Sequence, residues 1–343
     1  MLIIAALIWG AAFVAQKDGI DYMPPITFNS VRCLIGGIVL LPVVAIFGRK
    51  KNKKSVDELV PQHLPAGSDP SVGAEVSSAA AADALVELSA TSTKNTPESA
   101  AGIDTVIAAA KRERRVLWAG GILCGIMLFA ASNLQQLGLV HTTAGKAGFI
   151  TTLYIVIVPA MGLFFKRRAP FSVWLGAALA VVGLYMLTVR ENMTVNSGDL
   201  LVLISSFCFA AHIMLISYFS PRCDGVKLSC IQFFIAGTLG FIPMLVLEHP
   251  TPQAILAGWL PLLYAGVMSC GVAYTLQIIA QRYVKETLAS LLMSLESVFS
   301  VLTGWILLNE KLTAPELVGC ALIFAAVLLA QLPPRAKRIS LKK

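Results

Sequence analysis

The sequence predicts an all-α membrane protein with ten transmembrane helices, arranged as two inverted five-helix repeats with both termini in the cytoplasm. Three observations predict this fold: the composition, a series of ten apolar segments, and an uneven distribution of Lys and Arg between alternate loops. The 343 residues are 57% hydrophobic and only 13% charged, whereas soluble domains average about 45–50% apolar and about 25% charged. The chain therefore lacks the charged surface that a soluble globular enzyme needs. It is also too apolar for a disordered protein.

The apolar segments set the number of helices, since a membrane-spanning helix needs about 20 predominantly apolar residues. The first segment begins at Leu2. It lacks the preceding basic stretch and the following small-residue cleavage site of a signal peptide, so we expect a first transmembrane helix there. The ten predicted spans run approximately over 2–20, 25–48, 116–139, 145–165, 170–189, 199–219, 227–247, 254–281, 287–308 and 313–332.

The positions of Lys and Arg predict the orientation of these spans. With the N-terminus inside, the cytoplasmic segments carry 22 of the 27 basic residues and the external loops carry 4. Arg32 is the remaining one, inside a span. Cytoplasmic loops are enriched in Lys and Arg, so this split places both termini in the cytoplasm. It also explains the net charge of +8 without a nucleic-acid partner.

Residues 49–115 differ in composition from the rest of the chain. Between basic clusters, Ser55–Ala110 is rich in Ala, Ser and acidic residues, with four prolines and no aromatic residue. This composition predicts a disordered cytoplasmic insertion with one short helix at Ala74–Leu88. The predicted domains are a first repeat at 1–48 and 116–190, the insertion at 49–115, a second repeat at 199–332 and a basic cytoplasmic tail at 333–343.

An internal repeat supports the two-fold arrangement. The segment that begins at Asn29 aligns with the segment that begins at Ser229, an offset of 200, and Gln135 aligns with Gln277 at an offset of 142. One insertion of 58 residues in the first half reconciles the two offsets. Because each half has five helices, the second copy is inverted in the membrane, an arrangement typical of secondary transporters.

Several short motifs carry a resemblance to a known family. They are Trp9-Gly10, Phe28 to Arg32, Ala144 to Pro159, Leu295-Glu296-Ser297-Val298 and Asn309 to Thr313. With these motifs the chain resembles the drug/metabolite transporter superfamily, specifically its ten-helix EamA-type transporters. The resemblance implies a basket of ten helices around a central cavity, with export of small metabolites or drugs as the usual activity. Many members have Glu-Pro where this chain has Glu296-Ser297.

Glu296 and His212 are the candidate proton-coupling residues. A carboxyl group deep in a span is costly when ionised, so Glu296 could exchange a proton as the substrate moves; Ser300 and Thr303 on its helix face could solvate it. The alternative is a structural carboxyl group. His212 could titrate as a second site, or it could be a packing histidine whose polar atoms are satisfied.

Amide and aromatic side chains supply the candidate substrate-binding residues. Amides in hydrocarbon need partners, so their helix faces should point into the bundle. Gln135 and Gln277 could bind substrate or could bond to each other across the repeat axis. Arg32 could bind an anionic substrate, but pairing with a helix-end carbonyl or extension to the headgroups is favoured. The candidates are Trp9, Asn133, Gln135, Gln136, Thr151, Tyr154, Tyr274 and Gln277.

The leading hypothesis is a secondary transporter that exports a small metabolite or drug-like solute across the cytoplasmic membrane by alternating access, coupled to protons. The alternatives are an uncoupled facilitator of the same fold and a non-transporting scaffold or sensor. The expected partners are a small molecule, the lipid bilayer and protons, with a monomer or homodimer as the assembly. The seven cysteines form no CxxC pair, and zinc-site and nucleotide-binding motifs are absent, so we expect no cofactor, metal or enzymatic activity.

Overall fold

A computed structural model of the protein describes residues 1–59, 97–167, 169–188, 196–308 and 313–330. The described residues form helices and short connections, without a β-strand. Eight of the helices in these ranges are long and apolar enough to cross a membrane, and Phe171–Met186 and Ala314–Ala330 are shorter apolar helices. The predicted all-α, multi-pass class is confirmed.

The helices follow one another with short connections. Two π-helical segments, Met244–Glu248 and Tyr264–Tyr274, interrupt the α-helical series. The α-helices are α1 (Leu2–Tyr22), α2 (Pro25–Leu59), α3 (Pro97–His141), α4 (Ala144–Thr152), α5 (Tyr154–Phe164), α6 (Phe171–Thr188), α7 (Ser197–Phe219), α8 (Gly225–Pro243), α9 (Pro252–Ala257), α10 (Trp259–Leu263), α11 (Thr275–Gln281), α12 (Glu286–Met293), α13 (Leu295–Leu308) and α14 (Ala314–Ala330).

Helices α2 and α3 extend into the segment for which the sequence predicts disorder. Residues 49–59 continue α2, and residues 97–115 form the beginning of α3. Both stretches are rich in Lys, Arg, Glu and Ala, which are good helix formers, so each helix continues beyond its apolar part. The predicted helix at Ala74–Leu88 lies outside the described residues.

Side-chain caps fix where several helices begin. Asn196 and Asp199 form a reciprocal capping box at the start of α7, and Asp224 accepts from two backbone N–H groups at the start of α8. Glu248, distant in sequence, accepts from the backbone N–H groups of Ile26 at 2.9 Å and Thr27 at 2.6 Å. These carboxylates satisfy N–H groups that have no partner within their own helices.

The most extensive packing joins helices of the first half, α1–α6, to helices of the second half, α7–α14. Helix α3 packs on α7 and α8, α6 on α14, α2 on α8, and α1 on α13. Large apolar side chains remain exposed on the outside, among them Leu41, Val182, Phe207, Ile242 and Leu328. This exposed apolar surface is the one that lipid contacts in a membrane protein.

Glycines allow α3 and α7 to approach closely. A Cβ atom built on Gly138 would lie 2.7 Å from the carbonyl oxygen of Gly198 and 2.6 Å from Val202 Cγ2. A Cβ atom on Gly198 would lie 2.6 Å from the carbonyl oxygen of Gly138. These distances are far below van der Waals contact, so the interface requires residues without side chains, as in other membrane helix pairs.

We expect Gly138→Ala to destabilise the protein by about 1–3 kcal/mol, because the added methyl group pushes α3 away from α7. The midpoint of thermal unfolding in detergent measures the effect. Gly148→Ala is the matched control, since a Cβ atom there would have Phe13 as its nearest neighbour at 3.9 Å. Equal midpoints for the two variants would contradict the packing argument.

Candidate functional site

A cavity lies between the two halves of the protein and receives side chains from both. It contains about 530 Å³ of space free of protein atoms, counted with the part that is open to the surroundings. Its walls are formed by Trp9, Phe13, Gln16, Arg32, Gln135, Thr151, Tyr154, Phe209, His212, Ile213, Ser269, Tyr274, Gln277, Met293 and Glu296.

The cavity brings together eight of the ten predicted site residues; Asn133 and Gln136 are not among its lining side chains. Asn133 donates to the carbonyl of Phe129 in its own helix at 2.9 Å, and Gln136 donates to the carbonyl of Gln16 at 3.2 Å. Asn133 and Gln136 share one face of α3, as their spacing predicted, but the neighbouring face with Gln135 is the one that borders the cavity.

Several of the lining residues are not among those predicted from the sequence. Gln16 and Ser269 are polar residues within predicted spans, and this polarity was an available signal. The other unselected residues are apolar, and sequence alone does not distinguish a cavity-facing apolar side chain from a lipid-facing one. They are Phe13, Phe209, Ile213 and Met293.

Two helix breaks place side chains at the cavity. Helix α4 ends at Thr152 and α5 begins at Tyr154, and α12 ends at Met293 before α13 begins at Leu295. At the repeat offset of 142, the two breaks coincide to within one residue. Interrupted helices at the centre of a bundle free backbone groups and redirect side chains, and they often form the binding sites of transporters.

Glu296 follows the second break and is 5% exposed. The hydroxyl of Tyr154 donates to its Oε1 atom at 3.0 Å, and the hydroxyl of Thr152 lies 3.4 Å from the same atom. Tyr154 and Glu296 are 142 positions apart, which is the offset of the repeat that the sequence predicts. Within the described ranges, Glu296 forms no ion pair, which makes a charge on this carboxyl group costly.

The hydrogen-bonding partners of Glu296 differ from those that the sequence suggested. The hydroxyl of Thr303 donates to the carbonyl of Phe299 at 2.7 Å, within its own helix. The polar contacts of Glu296 come instead from Thr152 and Tyr154 in the other half of the chain. Helix periodicity identifies a shared face, but it does not show which neighbouring helix supplies a partner.

Tyr274 is at the centre of an aromatic cluster on one wall of the cavity. Its ring centroid lies 4.8 Å from that of Trp9, 5.5 Å from that of Phe233 and 6.0 Å from that of His212, all in edge-to-face geometry. A ring nitrogen of His212 is 3.0 Å from Oε1 of Gln232. The indole N–H of Trp9 is buried and has no hydrogen-bond partner among the described residues, so this wall combines aromatic rings with one unpaired donor.

Gln135 and Gln277 both border the cavity but are not bonded to each other. Gln135 donates to the hydroxyl of Thr151 at 2.9 Å. The Oε1 atom of Gln277 is buried without a protein partner. Of the two roles that the sequence allowed, the bond across the repeat axis is therefore not formed.

Arg32 is 5% exposed, and it borders the cavity instead of extending to the headgroups or capping a helix end. Its Nε atom donates to Oδ1 of Asn29 at 2.9 Å. The amide nitrogen of Asn29 in turn donates to the hydroxyl of Ser132 at 3.0 Å. The guanidinium group is therefore held in place by a short chain of hydrogen bonds between α2 and α3.

Two ion pairs connect the halves at opposite ends of the α4–α5 crossing. Near the start of α4, Lys146 Nζ lies 2.8 Å from Asp199 Oδ2, and both side chains are largely buried, at 11% and 5% exposed. Just after α5, Arg167 Nη1 lies 2.7 Å from Glu286 Oε1, with the arginine 46% exposed. Each pair joins a residue of the first half to a residue of the second.

An all-helical, multi-pass membrane protein with a polar cavity enclosed between two halves has the architecture of a membrane transporter. The chain belongs to the EamA-like transporter family, whose model matches residues 1–64 and 196–332, more than half of the sequence. The family membership predicted from the motifs is confirmed, and the protein is a membrane transporter of this family.

The chain is also similar to individual proteins. An uncharacterized transporter of Archaeoglobus fulgidus is 27% identical over 337 residues, 96% of this chain and 84% of the relative. The Escherichia coli protein named uncharacterized inner membrane transporter YedA is 23% identical over 335 residues, 95% of this chain and 88% of the relative. A solved crystal structure with 15% identity matches with a TM-score of 0.67 and covers 97% of this chain and 96% of its own, which supports the fold.

We expect a cysteine at Ser269 to react with a small polar thiol reagent faster than a cysteine at Ser290, in a background without the native cysteines. Both serines are buried, at 3% and 0% exposed, but Ser269 borders the cavity and Ser290 bonds to the carbonyl of Thr287. Mass spectrometry of the modified protein measures the rates. Equal rates would mean that water does not enter this cavity.

Proposed function

We propose that the protein is a secondary active transporter that exports a small metabolite or drug-like solute across the cytoplasmic membrane by alternating access, coupled to protons. One observation carries the proposal: a polar cavity between the two halves contains a buried carboxyl group, Glu296, that forms no ion pair within the described residues. The direction, export, follows from the resemblance to the EamA-type transporters.

The pattern of helix contacts supports two inverted repeats. Helix α2 packs on α8, and α6 packs on α14; each of these pairs joins equivalent helices of the two halves. The contact of α3 with α7 has its counterpart in the contact of the Tyr264–Tyr274 segment with α1. Likewise, the contact of α1 with α13 corresponds to the contacts of α7 with α4 and α5. A two-fold relation between the halves produces such matched contacts.

A ten-helix topology with both termini in the cytoplasm agrees with the same data. The eight helices of spanning length and the two shorter apolar helices together correspond to the ten apolar segments of the sequence. The distribution of Lys and Arg orients them. The relative YedA is named an inner membrane transporter, which supports the cytoplasmic membrane as the location. Since one chain supplies the whole cavity wall, a monomer is sufficient for transport in this proposal.

Proton coupling depends on the surroundings of Glu296. The titratable and charged groups that share its cavity are Tyr154, Tyr274, His212 and Arg32. A carboxyl group that releases a proton as the substrate binds is charged at one stage of the cycle, and the hydroxyl of Tyr154, which donates to Glu296, stabilises that stage. In an uncoupled facilitator, Glu296 would keep one protonation state throughout.

The two ion pairs support alternating access. A cavity that opens to one side at a time needs contacts between the halves that form and break at each end. Lys146–Asp199 and Arg167–Glu286 lie at opposite ends of the α4–α5 crossing and each connects the two halves. Separation of one pair while the other remains formed would open a single side of the cavity.

We expect Glu296→Gln to abolish substrate-driven proton movement, because the amide cannot exchange a proton. The measurement uses proteoliposomes with a pH dye inside and pools of amino acids, nucleosides, sugars and aromatic cations presented in turn. Asp18→Asn is the matched control, since Asp18 is an exposed carboxylate outside the cavity. Labelled substrate that crosses without protons in parent and variant alike would identify a facilitator. If no pool of solutes produces a flux, and if the cellular role of the protein is unchanged after the cavity residues are deleted, the scaffold alternative is supported.

We expect Asp199→Asn and Glu286→Gln to open the cavity to opposite sides of the membrane. Breaking a buried ion pair costs about 3–5 kcal/mol and breaking an exposed one much less, so the Asp199 variant should shift the equilibrium further. Modification of a cysteine at Ser269 in right-side-out and inside-out vesicles measures the change. Lys146→Met should open the same side as Asp199→Asn, because it breaks the same ion pair and leaves the cap that Asp199 provides to α7 in place. If Asp199→Asn and Glu286→Gln open the same side, the ion pairs are not gates at opposite ends.

A further inference from the structure

The guanidinium group of Arg32 is a buried cation that the proposed transport cycle does not use. Its Nε atom donates to Asn29, and its Cζ atom lies 5.8 Å from the centroid of the Phe28 ring. Within the described residues, the two terminal nitrogens, Nη1 and Nη2, have no hydrogen-bond acceptor. No carboxylate of the described residues forms an ion pair with it. An uncompensated charge at this depth is expensive, so its retention in a cavity wall suggests a ligand that compensates it.

The second half of the chain shows that this position does not need a charge for folding. At the offset of 200, Arg32 aligns with Gln232, which is fully buried. Gln232 bonds to His212 and is not among the residues that line the cavity. At the aligned positions, the second half therefore has a neutral amide, Gln232, that bonds within the protein. The first half has a cation, Arg32, at the cavity.

The geometry of Arg32 suits a carboxylate. With Nε bonded to Asn29, the two terminal nitrogens remain as a parallel pair of donors, the arrangement that binds both oxygens of one carboxylate. A phosphate with two negative charges fits less well. Arg32 is the one Lys or Arg among the residues that line the cavity, so a second positive charge is lacking, and the carboxyl group of Glu296 borders the same space.

The remaining walls suggest the rest of the ligand. Trp9, Phe13, Phe209 and Tyr274 border the cavity with their rings, and aromatic walls favour flat apolar groups. Two lining residues, Gln16 and Gln277, have a buried amide oxygen that no donor of the described part of the chain reaches. These atoms can accept a hydrogen bond from one or two polar groups on an otherwise apolar body.

We propose that the substrate is an organic monoanion with a flat apolar body and that its carboxylate binds Arg32. This inference rests on the proposed function, since it names the chemical class that the transport cavity accepts. Asn29 is then a positioning residue, because it fixes the orientation of the guanidinium group without contacting the ligand.

The test is direct binding to the purified full chain in detergent, with the midpoint of thermal unfolding as the readout. The probes are benzoate, phenylacetate and 2-naphthoate, each compared with its uncharged amide, together with benzylamine and inorganic phosphate. We expect at least one carboxylate to raise the midpoint and its amide, the amine and phosphate to leave it unchanged. Stabilisation by an amide equal to that by its carboxylate, or stabilisation by phosphate alone, would overturn the proposal.

Three variants locate the binding. Arg32→Gln introduces the residue that the second half has at the equivalent position, and it should weaken carboxylate binding by roughly tenfold or more. Asn29→Ala should weaken it less, because the guanidinium group remains but loses its orientation. Arg282→Gln, at an exposed arginine, should bind like the parent. Unchanged binding in Arg32→Gln would overturn the assignment.

These outcomes separate this inference from the proposed function. Binding in detergent requires neither transport nor a proton gradient. If carboxylates bind through Arg32 but are not transported, the proposed function is contradicted and the proposed ligand class is retained. If cationic or neutral solutes are transported and carboxylates do not bind, the proposed ligand class is contradicted and the transporter function is retained. If Arg32→Gln does not fold, the comparison of carboxylates with amides on the parent protein still decides the question.

Discussion

Polar side chains within the membrane must find their partners inside the helix bundle, because hydrocarbon offers none. This constraint determines how the two halves of the protein meet. Tyr154 donates to Glu296 across the interface, and the hydroxyl of Ser206 in the second half donates to the carbonyl of Thr151 in the first. The cavity occupies the region where such polar faces converge. A transport site between the halves is thus a consequence of the same requirement that holds them together.

The helix breaks at Leu153 and Ser294 lie beside this cavity. At both positions the backbone keeps a right-handed helical conformation, so each interruption is a local change within one membrane-spanning helix. Thr151 and Tyr154 on either side of the first break, and Glu296 just after the second, all reach the cavity. There the hydroxyl group of Tyr154 meets the carboxyl group of Glu296.

In the proposed repeat, Tyr154 aligns with Glu296 and Arg32 aligns with Gln232. The carboxyl group of Glu296 and the guanidinium group of Arg32 therefore each align with a residue of different chemistry. The same arrangement of helices can serve transporters of different substrates. In our proposals, these differing residues are the ones that bind a proton or an anion.

The sequence alone determined the membrane class, the apolar segments and the family, because composition, span length and short motifs are properties of the chain itself. It also identified eight residues of the cavity wall, since a polar side chain in a span can be recognised by its type. The tertiary structure decided which face of α3 points inward, so that Gln135 borders the cavity and Asn133 does not. It also decided that Arg32 lies at the cavity and that Tyr154 and Thr152 are the partners of Glu296. Those outcomes depend on the rotation and approach of distant helices, which local periodicity does not specify.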